Sequence, residues 1–100
     1  MTRPFEIEVK DSVIDPNLGP TEERVVYVRK TKGGKWLYKV WLYLSGPDLP
    51  RVKSATYELH SSFPDPVRTV RRTAANQQCQ FVIWTWGLFE VVTTITRLQQ

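Results

Sequence analysis

Trp36-Leu37-Tyr38-Lys39-Val40-Trp41-Leu42-Tyr43-Leu44 is the strongest strand signal in the chain. A strand sends alternate side chains to opposite faces, so Trp36, Tyr38, Val40, Leu42 and Leu44 share one face. That face is wholly apolar. Leu37, Lys39, Trp41 and Tyr43 make the other, which is largely aromatic, so this strand is expected to sit centrally. Ser45-Gly46-Pro47-Asp48-Leu49-Pro50 stops it with turn residues.

Working outward, the neighbours read the same way. Phe5, Ile7 and Val9 alternate with Glu6, Glu8 and Lys10, which predicts a first strand with one wet face. Asp15 to Pro20 is a loop by its residue chemistry. Arg24 to Lys30 is a β-branched and aromatic run, closed by a hairpin turn at Thr31-Lys32-Gly33-Gly34-Lys35. Downstream, Ala55, Tyr57 and Leu59 are expected inward, with Thr56, Glu58 and His60 outward. Pro64-Asp65-Pro66 breaks the chain before a short edge strand within Val67 to Thr73. Cys79, Phe81 and Ile83 alternate inward on a further strand, and Phe89, Val91, Thr93 and Ile95 do so on the last. No sustained 3.6-residue apolar period appears anywhere. Seven to eight short strands in one domain over residues 1–100 predict an all-β, immunoglobulin-like β-sandwich.

Composition agrees with a globular chain: 41% hydrophobic and 24% charged residues in 100. Four Trp, four Tyr and four Phe supply enough large rings for a core without disulfide or metal. One cysteine, Cys79, cannot form an internal disulfide, and with one histidine there is no zinc ligand set. Cys79 is read as a packed thiol. No apolar run spans a bilayer and Met1 to Glu6 carries no signal core, so a soluble, cytoplasmic protein without membrane attachment is expected. Net charge is +4. Acidic residues are interspersed among the basic ones, which favours a solvated surface, Arg68, Arg71 and Arg72 included, over a phosphate track.

Chemistry concentrates between Tyr57 and Phe89. Tyr57-Glu58-Leu59-His60-Ser61-Ser62-Phe63-Pro64 and Trp84-Thr85-Trp86-Gly87-Leu88-Phe89 each read as a strand meeting a turn that carries large aromatics. If both turns lie at one end of the sheet stack, Phe63 and Trp86 face each other across a slot. His60, Ser62 and the backbone of Thr85 to Gly87 then edge it with polar groups, as in a recognition pocket. Taken singly, Ser62 is also an ordinary turn former, His60 a turn cap, and Trp86 a core residue.

His60-Ser61-Ser62-Phe63-Pro64 with Trp86-Gly87-Leu88-Phe89 downstream resembles the YEATS domain family, over roughly Trp36 to Thr96, and its prokaryotic branch by compactness. The resemblance implies an immunoglobulin-like sandwich that binds without catalysing. Characterised eukaryotic members read acyl-lysine on histones. Carried over, Phe63 and Trp86 are the two aromatic faces, and Ser62, with the Trp86 backbone N–H, bonds the acyl amide. His60 orients Ser62, Trp36 lines the pocket beside them, and Gly87 completes the turn. Thr85 stands where the family usually has Gly, so it is expected to narrow the approach or alter the turn. The basic loop before Trp36 suits an acidic ligand flank.

The function expected is therefore a reader of an acylated-lysine protein or peptide, with no cofactor. An assembly role through an edge strand or aromatic patch is the alternative, and single-stranded nucleic-acid binding a third. Enzyme activity is not expected: no paired carboxylates, metal ligands or supported nucleophile appear.

Overall fold

The computed structural model describes residues 4–87 and 90–98. Among them lie seven strands: β1 (Glu8–Ser12), β2 (Val28–Lys30), β3 (Trp36–Ser45), β4 (Val52–Glu58), β5 (Val67–Arg71), β6 (Phe81–Thr85) and β7 (Val92–Arg97). All pair antiparallel in two sheets, and the described residues include no α-helix. Among the described residues no helix is long and apolar enough to cross a membrane.

β3 organises the first sheet. Its residues Tyr38 to Leu42 pair with β6, Trp41 to Ser45 with β1, and Trp36 to Tyr38 with β2. The β6 register overlaps both of the others, so β6 takes one edge of β3 while β1 and β2 divide the opposite edge between them. The second sheet runs β5-β4-β7. Leu42, Leu44 and Ile83 from the first sheet meet Val52, Ala55, Tyr57 and Leu59 from the second in one buried cluster. The sandwich expected from alternation is present, and its core uses the parity read from β3 and β4.

One polar bond crosses that core. The Tyr57 hydroxyl donates to the Cys79 carbonyl at 2.8 Å, and the Tyr57 ring stacks on Phe81 at 6.2 Å. Both residues are fully buried, and burial pushes the Tyr57 hydroxyl and the Cys79 thiol up from their ordinary acidities.

Several boundaries differ from the sequence expectation. The first strand begins at Glu8 and not at Phe5. Phe5 and Ile7 still pack on the core, but the Glu6 N–H donates to the buried Asp48 Oδ2 at 2.7 Å instead of entering a ladder. Gly46 makes this approach possible: its φ is +141, and a Cβ there would sit 2.5 Å from the Glu6 oxygen. The run from Arg24 forms a strand only at Val28–Lys30, because β1 already occupies the rest of that edge of β3. Cys79 is buried as a packed thiol, but at φ +50 it lies in a turn and not on a strand. Asn76 holds that turn by accepting from the Gln80 N–H at 2.8 Å and donating to its carbonyl at 3.0 Å. The last strand starts at Val92, and Leu88 and Phe89 lie outside the described residues.

Candidate functional site

Three connections meet at one end of the sandwich. The turn between β2 and β3 spans 31–35, the β4–β5 loop 59–66, and the β6–β7 connection begins at Trp86. The first is a closed hairpin turn: Thr31 N–H donates to Lys35 O at 2.8 Å and Gly34 N–H to Thr31 O at 3.0 Å, with Gly34 at φ +85.

The β4–β5 loop is closed at its base by Leu59 N–H donating to Pro66 O at 2.7 Å. Within it, Phe63 N–H donates to His60 O at 3.0 Å, a tight turn that carries the Phe63 ring toward the core. Arg68 braces the same loop. Its Nε donates to Asp65 O at 2.5 Å and its Nη2 to Pro64 O at 2.8 Å. Arg72 Nε likewise donates to Gln77 O at 3.1 Å, so two of the three arginines read as solvated are bound to backbone.

The ring of Phe63 lies nearly parallel to that of Trp86, centroids 6.3 Å apart and planes 16° from parallel. Trp86 is half exposed. Thr85, by contrast, is buried, and its Oγ1 donates to Gly87 O at 3.1 Å and accepts from Gly87 N–H at 3.4 Å. The threonine hydroxyl thus folds the Thr85-Trp86-Gly87 turn on itself, as Ser and Thr side chains do beside a turn.

His60 and Ser62 form one unit. Ser62 N–H donates to His60 Nδ1 at 3.1 Å, which requires a lone pair on Nδ1 and places the ring proton on Nε2. The Ser62 Oγ, 2.7 Å from the same nitrogen, is then the donor of that contact. Its own lone pairs remain for an incoming N–H.

Trp36 stands at the first position of β3, more than half exposed, with Lys30 Nζ 5.7 Å from its ring centroid. That lysine is the ring contact described for Trp36; Phe63 stacks on Trp86, His60 and Ser62 bond to each other, and the Thr85–Gly87 turn closes on itself. Lys35 was not singled out by the sequence, yet its Nζ lies 5.3 Å over the Trp86 ring. A polar cleft of about 540 Å³, lined by Asn17, Leu49 and the amide-rich 74–80 segment, lies at the opposite end, before β6 begins.

Neither a curated protein nor a solved structure matches the chain significantly. A family model described as the prokaryotic YEATS domain matches residues 36–100, which spans β3 through β7 and includes every residue of the ring pair, the His60–Ser62 unit and the Thr85 turn. The match covers well over half of the chain, and membership suggests a peptide-binding module. The chain belongs to the prokaryotic YEATS domain family.

Proposed function

We propose that this domain is a non-enzymatic reader that holds an acylated lysine between Phe63 and Trp86. The near-parallel pair at 6.3 Å and 16° carries the reading. Two van der Waals contacts of about 3.5 Å are needed to sandwich a flat group, so the rings part to roughly 7 Å on binding. Trp86, half exposed on its short turn, is the ring with room to move.

Acylation removes the lysine charge and leaves a planar amide, which is cheap to desolvate once its polar atoms are paired. Ser62 Oγ, with its proton committed to His60, accepts from the amide N–H. The backbone N–H of Trp86 is assigned to the acyl carbonyl. An unmodified ammonium entering the same slot sheds its hydration with no carboxylate to receive it.

A Ser–His pair is also the start of a nucleophilic dyad. Here both side chains are exposed, and among the described residues no carboxylate hydrogen-bonds to the imidazole to orient it. A binding role uses the pair as it stands. An assembly role finds support in β7, an open sheet edge of sequence Val92-Thr93-Thr94-Ile95-Thr96-Arg97 with neither Lys nor Pro to blunt it. Nucleic-acid binding finds less, because Trp41 is buried under Tyr27 and Lys39 rather than open for base stacking.

Calorimetry with an acetyl- or crotonyl-lysine peptide tests the reading. Ser62→Ala is expected to weaken binding roughly 5- to 150-fold and Trp86→Ala to abolish measurable binding, while thermal melting stays cooperative. Unchanged affinity in both variants sinks it, and light scattering showing a concentration-dependent dimer transfers support to assembly through β7.

A further inference from the structure

Toward its start β3 is exposed, and its two faces differ there. On the side shared with Leu42 and Leu44, Tyr38 joins Val13, Val40, Thr85, Trp86 and Gly87 around an open apolar cleft. The other side is cationic and aromatic. Pairing sets Lys39 beside Trp84 and Arg29 beside Leu37, and the Lys39 N–H donates to Tyr27 O at 3.0 Å. Paired residues of neighbouring strands share a face, so Tyr27, Arg29, Lys39, Trp41 and Trp84 stand together on the side turned away from the core.

Both cations are held over rings. The Arg29 guanidinium lies 4.6 Å from the Trp84 ring centroid, and Lys39 Nζ lies 5.2 Å from that of Tyr27 and 4.9 Å from that of Trp41. Such contacts fix the charged heads in place while leaving their N–H donors unspent. Among the described residues neither head group makes a hydrogen bond or an ion pair. The carboxylate on this face of β1, Glu8, sits opposite Ser45 at the far end of β3 and is already 3.7 Å from Lys10 Nζ. That is about 20 Å of strand from Lys39. The sequence segregates charge in the same sense. Residues 24–47 hold Arg24, Arg29, Lys30, Lys32, Lys35 and Lys39 with no Asp or Glu, so a net charge of +4 leaves the remainder at −2.

We propose that this outer face docks an extended acidic segment of a partner protein, whose carboxylates bridge Arg29 and Lys39. The complement to two pre-positioned cations without a counter-charge is a pair of anions, and a guanidinium held by its face presents its N–H edge to a carboxylate. Carboxylates fit better than a nucleic-acid strand, because base stacking needs an open ring and Trp41 is buried beneath Tyr27 and Lys39. They also fit better than a lipid surface, which favours apolar side chains standing above the cations, whereas here the cations lie over the rings. An extended segment with alternating acids sends all its carboxylates to one side, as this flat face requires.

The test is fluorescence polarisation of a labelled peptide of alternating Glu and Ser residues against the whole chain at low salt. The peptide carries no lysine, so its result stands apart from the acyl-lysine reading of the ring slot. Binding is expected, weakening as salt is raised. Arg29→Glu with Lys39→Glu should lower affinity about tenfold or more, while Lys53→Glu, an exposed lysine on β4 of the other sheet, changes it about twofold or less. Arg29→Gln with Lys39→Gln, which keeps part of the stem over Trp41, should give a smaller loss, and it decides the matter if thermal melts show the Glu pair unfolded. An equal loss from Lys53→Glu overturns the proposal, since net charge alone then governs binding. So does an oligothymidylate that displaces the peptide and binds more tightly, which makes the face a phosphate track. Absence of peptide binding at low salt overturns it as well, and co-sedimentation with phosphatidylglycerol vesicles then assigns the face to lipid.

Discussion

Tyr57 lies on β4 and Cys79 in the turn before β6, and the Tyr57 hydroxyl donates to the Cys79 carbonyl at 2.8 Å. Tyr57→Phe leaves that carbonyl buried without its donor, and such a group costs about 1–3 kcal/mol. A loss of that size in urea-unfolding free energy is expected, with the m-value unchanged. The same two residues set the alkaline limit. Burial holds the folded Tyr57 and Cys79 groups neutral above their ordinary values of 10.0 and 9.0. The unfolded chain thus binds fewer protons there, and stability falls as pH rises, first above about 9 from Cys79 and then above about 10 from Tyr57. Tyr57→Phe removes the second part of the decline, which denaturation at stepped pH resolves.

Arg68 is expected to matter to a site it does not touch. Its guanidinium donates to the carbonyls of Pro64 and Asp65, and Asp65 holds φ +47, so the turn beside Phe63 depends on this brace. Arg68→Ala should weaken acyl-peptide binding about three- to tenfold, with a faster dissociation rate. Arg68→Lys restores little, because one ammonium cannot repeat the two-pronged contact. Stopped-flow dissociation separates this from a general loss of fold, which a melt reads independently.

In the proposed reader, His60 acts on the ligand only through Ser62. With Nδ1 taking the Ser62 proton, the serine oxygen is fixed as an acceptor. Ser62→Ala leaves a buried ligand N–H unpaired, a loss of about 1–3 kcal/mol or roughly 5- to 150-fold. His60→Ala frees the hydroxyl to rotate and costs less. In the Ser62→Ala background, His60→Ala adds almost nothing. Additive losses in that double-mutant cycle contradict the assigned relay.

Lys30, Lys32 and Lys35 make the turn beside Trp86 basic, and Lys35 Nζ already lies over the Trp86 ring. Acyl-lysine peptides flanked by Asp or Glu should bind several-fold tighter than the same peptides flanked by Lys at low salt. The gap should shrink as ionic strength rises, since exposed charges are screened. Lys32→Glu with Lys35→Glu should reverse the preference, which calorimetry at two salt concentrations measures.

How much of this was legible beforehand differs from one residue to the next. The central place of β3 could be read, because both of its faces are patterned, while the exposure of Trp36 and Tyr38 at its start could not. Ala55, Tyr57 and Leu59 were equally plain. Phe5 and Ile7 look like strand residues and pack like them, yet their backbone is claimed by Asp48, a contact 42 positions away. The run from Arg24 has strand propensity, but the edge it would join is shared with β1, and propensity carries no record of that competition. At the site, the aromatic and hydroxyl residues announced themselves by type. Arg68 and Lys35 did not, because a cation's partners are set by where its loop folds. The apolar cleft was illegible for another reason: it needs Val13, Tyr38 and Trp86, from three separate stretches of chain, to meet in one place.

The most direct test of the ring pair is proton NMR of an acetyl-lysine peptide bound to the domain. A methyl group held between the faces of Phe63 and Trp86 is predicted to move upfield by ring currents, and to lose most of that shift in Trp86→Ala and in Phe63→Ala. A bound peptide whose acetyl methyl resonates where it does in free solution would contradict the placement of the acyl group between those rings.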